Sequence, residues 1–417
     1  MSKKTFTIII GVVFIIVCIL IWYFLFSGGG ATQTGPGNNQ QNLFPFGPGS
    51  ATNGGKGNNG QNGNATTTIN LGGPHAPATP RLRHISFVPT AGAVAFDIST
   101  STNATTTTTV FIRWIERATG HIFETPSESL TVNEISNTTI PKIHEALWSS
   151  DGNNVILRYL KDDQTTIRTF WAKVISGVSP EKAMEGSFFP DDINNVSVFG
   201  NKLFYVKENP DGAQGIEANI DGSSKVEIFD STFGDWASAW DSKDVALFPR
   251  PSGAATGGIY LLDSKTGQYT KEIGDIPGLS GIFNADETYL LYSGKNGDYF
   301  GTAAINIATG IGHDAGVATL SDKCVWSQKQ KTIIYCAVPH SPVTGIYPDD
   351  WYKGKVSFND SMWKVDVAAG TTENVFDPEL EAGVTMDMMN LGLDQREDAL
   401  IFTNKDDMTV WRYDLNR

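Results

Sequence analysis

A short phrase recurs along this chain from about residue 81 onward. An aromatic or apolar residue is followed by a polar turn. It reads Trp148-Ser-Ser-Asp-Gly152, Phe199-Gly-Asn-Lys202, Trp240-Asp-Ser-Lys-Asp244, Phe283-Asn-Ala-Asp-Glu287, Trp326-Ser-Gln-Lys-Gln330 and Leu393-Asp-Gln-Arg-Glu397. Phe87-Val-Pro-Thr-Ala-Gly92 is a weaker first copy, which makes seven. An alternating, strand-like run follows each, as in Val155-Ile-Leu-Arg-Tyr159, Lys202-Leu-Phe-Tyr-Val206, Thr288-Tyr-Leu-Leu-Tyr292 and Ala399-Leu-Ile-Phe402. Gly, Asn or Asp between two such runs marks a hairpin. Helical periodicity is nearly absent, so the repeat confines the chain to β architectures built from stacked copies of one unit.

A second element recurs in register with the first: an apolar strand, an acid or amide, then Thr-Gly or its equivalent. Trp114-Ile-Glu116-Arg-Ala-Thr-Gly120, Ile220-Asp-Gly222, Leu262-Asp263-Ser-Lys-Thr-Gly267, Ile305-Asn306-Ile-Ala-Thr-Gly310 and Val365-Asp366-Val-Ala-Ala-Gly370 carry it. The Gly supplies positive φ, and the acid or amide accepts hydrogen bonds from the turn. Seven copies over residues 81–417 average about 48 residues, enough for four short strands each. The pattern resembles the TolB-like and WD40-like propellers, whose blades carry a Trp-Ser-Pro-Asp-Gly turn. Trp148-Ser-Ser-Asp-Gly152 matches it without the Pro. The expected fold is therefore an all-β, seven-bladed β-propeller. The last unit ends on its third strand, Thr409–Leu415. An open edge exposes unpaired backbone, and Thr66-Thr-Thr-Ile-Asn-Leu71 has the composition to fill it.

The N-terminus carries the other strong signal. Residues 6–26, FTIIIGVVFIIVCILIWYFLF, contain no charge. As a helix they span about 31 Å at ~1.5 Å per residue, the thickness of a hydrocarbon core. Trp22 and Tyr23 sit near one end, where amphipathic rings favour the interface. Lys3 and Lys4 precede the run and no Lys or Arg follows until Lys56. The positive-inside rule predicts residues 1–5 in the cytoplasm and everything after residue 26 outside. The run is longer than a signal-peptide core, which favours an uncleaved anchor over a cleaved leader. Cys18 lies inside it without a lipoprotein box and reads as a buried apolar Cys. Residues 27–65 read as a disordered Gly/Asn/Thr linker, whose only apolar island is Phe44-Pro45-Phe46. Residues 66–417 read as the propeller with its N-terminal closing strand.

Composition then removes function classes. Three Cys in 417 residues exclude a disulfide framework and a Cys-rich metal module. A net charge of −14 argues against nucleic acid and anionic lipid headgroups as main partners. No nucleophile elbow, zinc-protease or phosphate-loop motif occurs. Nor does any carboxylate spacing match a calcium loop. No cofactor, no metal and no catalytic residue is expected.

Function collects on irregular loops. Taking every unit in one phase, the second-to-third loops are Ser99–Thr109, Glu208–Gly215, Arg250–Gly258, Gly294–Gly301 and Pro339–Ser361. The last is the outlier. It holds His340, Tyr347, Asp349, Asp350, Trp351 and Tyr352, an aromatic and acidic set suited to recognition. The alternative is that the loop folds back and its aromatics plug the channel or pack on the blade. Cys324 and Cys336 flank the Trp326 turn on consecutive strands. They form either a cross-strand disulfide or two buried thiols. The sequons at Asn103 and Asn137 matter only in a host that glycosylates Asn. The leading expectation is a non-enzymatic protein-binding or scaffolding module at the cell envelope, with an envelope protein or glycan as partner. The alternatives are a lectin-like propeller stacking sugars on Trp351 and Tyr352, and a propeller hydrolase or lyase.

Overall fold

The computed structural model describes residues 80–101, 105–129, 131–341 and 343–416. The anchor 6–26, the linker 27–65, the strand expected at 66–71 and the Asn103 sequon lie outside the described residues. Among those described, no helix is long and apolar enough to cross a membrane.

Seven four-stranded antiparallel sheets make up the fold. Six are continuous in sequence: residues 90–136, 145–188, 195–231, 236–277, 280–314 and 324–376. The seventh takes three strands from the C-terminus, Met388–Leu393, Ala399–Asn404 and Thr409–Asp414, and its fourth from Leu82–His84. Register fixes that closure: Leu82 faces Tyr413, Arg83 faces Arg412 and His84 faces Trp411. The pairing runs on through Ile85 N to Val410 O at 2.8 Å, and His84 stacks on Trp411 at 4.2 Å. An N-terminal strand thus closes the last blade, but it is Leu82–His84.

The second strands explain why the blades pack as they do. Their side chains alternate between two different inter-blade cores. Val155 and Leu157 enter the core shared by blades one and two, while Ile156 enters that of blades two and three. Leu203 and Tyr205 face blade two, and Phe204 and Val206 face blade four. Leu290 and Leu291 divide the same way. A strand buried on both faces has no polar side to show. This is why these segments carry continuous apolar residues such as the Leu203–Val206 stretch.

The recurring aromatic at the end of the first strand staples neighbours. Trp148 Nε1 donates to Gly92 O (3.4 Å), and Trp326 Nε1 donates to Ile282 O (3.1 Å), in each case on the preceding blade's inner strand. Inner strands approach closely there: a Cβ on Gly92 would collide with the Ala146 carbonyl. Turns tie to turns as well. Glu397, in the left-handed region at φ 55°, accepts from Ser327 Oγ (2.7 Å) and Gln328 N (2.6 Å). Cys324 and Cys336 stand directly opposite on paired strands and are disulfide-bonded.

Blade one departs from the phase read in the sequence. Its repeat unit begins one strand before the blade, because the unit's first strand is given to blade seven. Phe87–Gly92 therefore links the outer strand of blade seven to the inner strand of blade one. The Glu116–Gly120 turn joins the second and third strands, and Asn133–Ser136 supplies the fourth. Consequently Ser99–Thr109 spans the hairpin between strands one and two. It sits on the face carrying Trp148–Gly152, opposite to the face expected for it, as the Phe96–Gly152 contact requires.

Candidate functional site at the two ends of the channel

The first strands of all seven blades surround a central channel. The two faces end it differently. On the face of the second-to-third loops, the segment Pro339–Ser361 folds inward. Its one-turn helix, Asp349–Tyr352, delivers Trp351 into a cluster with Phe300, Leu320, Tyr347 and Phe358. Tyr347 and Trp351 are 3% and 4% exposed. The Trp351 indole donates to Asp387 Oδ2 at 2.9 Å and Oδ1 at 3.1 Å. Neither ring offers a face to a ligand, so of the two readings of this loop the packing of Trp351 and Tyr347 on the fold is the one seen, while Tyr352 stays exposed. The loop is anchored because three of its aromatics are worth more buried than exposed.

Beneath the loop lies an ion network whose centre has no solvent contact. Lys323, Asp360 and Asp387 have fully buried side chains. Lys323 Nζ sits 2.8 Å from Asp360 Oδ2 and also pairs with Asp387. Lys405 Nζ lies 3.8 Å from Asp387 Oδ2 and donates to Trp351 O at 2.7 Å. Phe358 N and Ser357 Oγ donate to the same Asp387 oxygen, each at 3.2 Å. Burial pushes the Asp360 carboxyl up to about 6, with Lys323 opposing. Burial likewise lowers Lys405, and Asp387 opposes.

The other candidates on this loop are also committed internally. Asp349 accepts from Gly253 N (2.8 Å) and Ser252 Oγ (3.3 Å), which pins the loop to blade four. Asp350 accepts from Ile346 N (2.9 Å) and pairs with Lys355 at 3.1 Å. His340 bridges Asp377 at 3.0 Å and Glu379 at 3.6 Å. His340 is exposed, and so is Tyr352, at 43%. The Tyr352 hydroxyl donates to Asp322 Oδ1 (2.8 Å), and the enclosing protein together with Asp322 holds the phenol well above its ordinary value. Asp322 also accepts from Ser280 Oγ at 3.1 Å, and burial raises its carboxyl.

On the turn face the channel stays open. A cavity of about 560 Å³ is lined by residues from all seven inner strands or the turns that follow them. Trp148, Trp240, Trp326 and Phe199 form much of its wall, with Asp241 and Asp394 as its carboxylates. Phe199 stacks on Trp240 at 5.9 Å. Asp241 is exposed to the cavity, yet the protein around it raises its carboxyl by burial alone. Asp394 is 2% exposed, and burial raises it against a hydrogen bond from Ala399 N (2.8 Å). Its Oδ2 has no hydrogen-bond partner, and neither has Trp240 Nε1. Among the described residues, no group of three or more His, Cys, Asp or Glu is placed to hold a metal ion.

The sequence reading missed this end, although a signal was there. The residue after the recurring aromatic is Ser149, Asn284 or Ser327 in three copies, but Asp241 and Asp394 in two others. Charge at an otherwise neutral repeat position marks those two blades.

No protein-family model and no curated protein matches the chain. Solved structures do. An oligogalacturonate lyase in complex with manganese aligns at 9% identity over 79% of this chain and 99% of that one, with a TM-score of 0.49. TolB from Acinetobacter baumannii aligns at 10% identity over 78% and 80%, with a TM-score of 0.40. The β-propeller domain of the Trilobed protease from Pyrococcus furiosus aligns at 10% identity over 78% and 96%, with a TM-score of 0.45. At such identities the likeness is one of fold.

Proposed function

We propose that this chain is a non-enzymatic binding module held at the cell envelope by residues 6–26, and that it recognises its partner at the turn-face mouth of the channel. The observation that carries this reading is the cavity of about 560 Å³ built jointly by seven blades, with aromatic walls and a few polar groups. Concave, largely apolar sites with sparse polar groups are the common form of a binding pocket. The Pro339–Ser361 loop, by contrast, spends its aromatics and carboxylates on internal contacts. A lectin-like role loses Trp351 as a stacking platform and is left with Phe199, 45% exposed, and the part-buried Trp148 among the described residues at the open mouth. A hydrolase or lyase is favoured by one observation, two carboxyls held above their ordinary range in one cavity. It predicts cleavage of an envelope polymer that Asp241→Asn abolishes.

Site-specific photo-crosslinking in the native membrane tests the binding reading. Gln328 and Gln395 are exposed at the mouth, and Val226 lies on an outer strand. Probes at Gln328 and Gln395 are expected to trap one discrete partner that the Val226 probe does not. Equal adducts from all three positions, or none from any, overturn it.

A further inference from the structure

We infer that Lys323 and Asp387 are the partners of a self-forming intramolecular amide bond, with Asp360 as the proton carrier. The inference does not depend on the binding reading above. Lys323 directly precedes the inner strand of blade six, Asp360 opens that blade's third strand, and Asp387 directly precedes the inner strand of blade seven. An amine and two carboxyls thus meet with no solvent exposure on any of the three side chains. Replacing a buried ion pair with apolar residues is often neutral or stabilising, so stability alone does not account for them. Together they are the complete reactant set for an amide.

The two carboxyls are not equivalent, and the difference assigns their roles. Lys323 Nζ pairs with Asp387 Oδ1, and contact with that oxygen sets the amine beside Cγ, as a near-attack arrangement requires. Asp387 Oδ2 accepts from Trp351 Nε1 (2.9 Å), Ser357 Oγ (3.2 Å) and Phe358 N (3.2 Å), with Lys405 Nζ at 3.8 Å. In the acid form Oδ2 is the carbonyl oxygen. Donors fixed on it polarise that carbonyl and stabilise the charge that gathers there when a nucleophile adds. Asp360 has no such set. Its Oδ2 lies 2.8 Å from Nζ and accepts from Met388 N (2.7 Å), while its Oδ1 has no hydrogen-bond partner among the described residues. Burial pushes its carboxyl up to about 6, which suits a group that takes and returns a proton near neutrality. The rings of Trp351 and Phe358, each centred 5.0 Å from Nζ, close the site to the water that would hydrolyse the product.

The step balances without an oxidant or cofactor. A proton passes within the ion pair from Nζ to Asp387 Oδ1, leaving a neutral amine and a neutral acid. The Nζ lone pair adds to Cγ, forming the C–N bond and placing the charge on Oδ2. Asp360 takes a second proton from the nitrogen and gives it to Oδ1. The Cγ–Oδ1 bond breaks, water leaves, and Asp360 ends as it began. Asp360 and Lys405 remain as one charge of each sign. The bond joins blade six to blade seven, the blade that Leu82–His84 closes, and encloses the Pro339–Ser361 loop in a covalent ring.

The test is mass spectrometry of the purified full chain after reduction of the Cys324–Cys336 disulfide. The chain is expected to be lighter than its sequence by one water. Its tryptic digest is expected to hold Lys323 and Asp387 in a single branched peptide, uncut after Lys323. Lys323→Arg keeps the charge but does not condense, and is expected to show its full mass. Asp360→Asn is expected to slow bonding in freshly synthesised chain by about a hundredfold or more. Asp387→Asn is expected to give the same branched peptide as the parent, losing ammonia in place of water, because an amide also serves as the acyl donor. Full sequence mass for the parent overturns the inference. So does a water lost at an Asp-Gly step such as Asp151-Gly152 with Lys323 still cleavable. A branch from Lys323 to Asp360, or an Asp360→Asn variant that bonds as fast as the parent, overturns the assigned roles. The parent's own digest decides whether the bond exists even where a variant does not fold.

Discussion

The two ends of one channel solve opposite problems with similar residues. At the loop end, aromatic rings and carboxylates are folded inward and matched. Trp351 donates to Asp387, Asp387 and Asp360 share Lys323, and Lys405 ties the helix carbonyl to the same group. At the turn end, aromatic rings and carboxylates surround open space. Asp241 has no cation beside it, and Asp394 Oδ2 and Trp240 Nε1 have no partner. Residue type alone does not separate the two ends. What separates them is whether the rings and carboxylates are enclosed and paired or border a cavity.

The largest effect expected from this contrast is at the matched end. Lys323→Met replaces a fully buried ammonium by an apolar chain of similar length and leaves Asp360 and Asp387 facing each other. Removing one partner of a buried ion pair costs about 3–5 kcal/mol. Urea unfolding of the variant is expected to show a loss of that order, with the loop proteolysed earlier than in the parent. A loss under about 1 kcal/mol would mean the network is not what holds the loop, and the contrast between the two ends would weaken.

A smaller effect is read from pH. Asp360 has a folded pKa of about 6, above its value in an unfolded chain of about 4. Between those values the folded state holds the extra proton. By linkage, this group's contribution to stability is fully present below about pH 4 and is lost as pH rises toward 6. Lys323, Asp387 and Lys405 are the charges around it. Exposed carboxylates with lowered values, such as Asp263 and Asp286, act in the opposite direction at lower pH. Asp360→Asn is therefore expected to remove a falling limb from the stability profile between pH 4.5 and 6.5, whatever its offset. Urea midpoints at three pH values suffice, and parallel profiles for parent and variant would show that Asp360 does not titrate there.

Much of this architecture was legible in the sequence. Six of the seven aromatic-turn phrases fall where a blade's first strand ends, and at Trp148 and Trp326 the indole reaches the neighbouring blade; the weaker copy at Phe87 falls instead on the link from blade seven to blade one. The need for an N-terminal closing strand followed from a last unit with three strands. Its place did not, because Leu82–His84 looks like the first strand of a new repeat. Only ring closure decides that it belongs to the previous blade, and ring closure is not a local property. The same phase slip carried Ser99–Thr109 to the opposite face. At the loop end, His340, Tyr347, Asp349, Asp350, Trp351 and Tyr352 were recognisable as a cluster. Which of the two readings held, open patch or inward packing, was not, because the groups that bury Trp351 and pin Asp349, Asp387 and Gly253 among them, are distant in sequence and ordinary in type. Cys324 and Cys336 were legible as opposite neighbours, since hairpin register is a short-range matter.

The smallest expected effect is also the sharpest test of the contrast. Asp241→Asn keeps the side chain's shape and removes a charge that the fold does not pair. If the turn end is built for something outside the chain, the free protein gains nothing from that charge. The variant is then expected to match the parent's stability within about 0.5 kcal/mol, or to exceed it, as surface-facing substitutions away from packed networks do. Asp387→Asn is the matched comparison, because it takes the charge from Lys323, Lys405 and the Trp351 indole at once. It is expected to lower stability by about 2–4 kcal/mol, in keeping with the loss of one member of a buried ionic network. A stability loss at Asp241 equal to that at Asp387 would place Asp241 inside the fold's own support and leave the open end without its distinguishing feature. Retained stability combined with lost binding would instead identify a carboxylate kept for a partner, since a residue that adds nothing to the fold and still points into a cavity has its counterpart elsewhere.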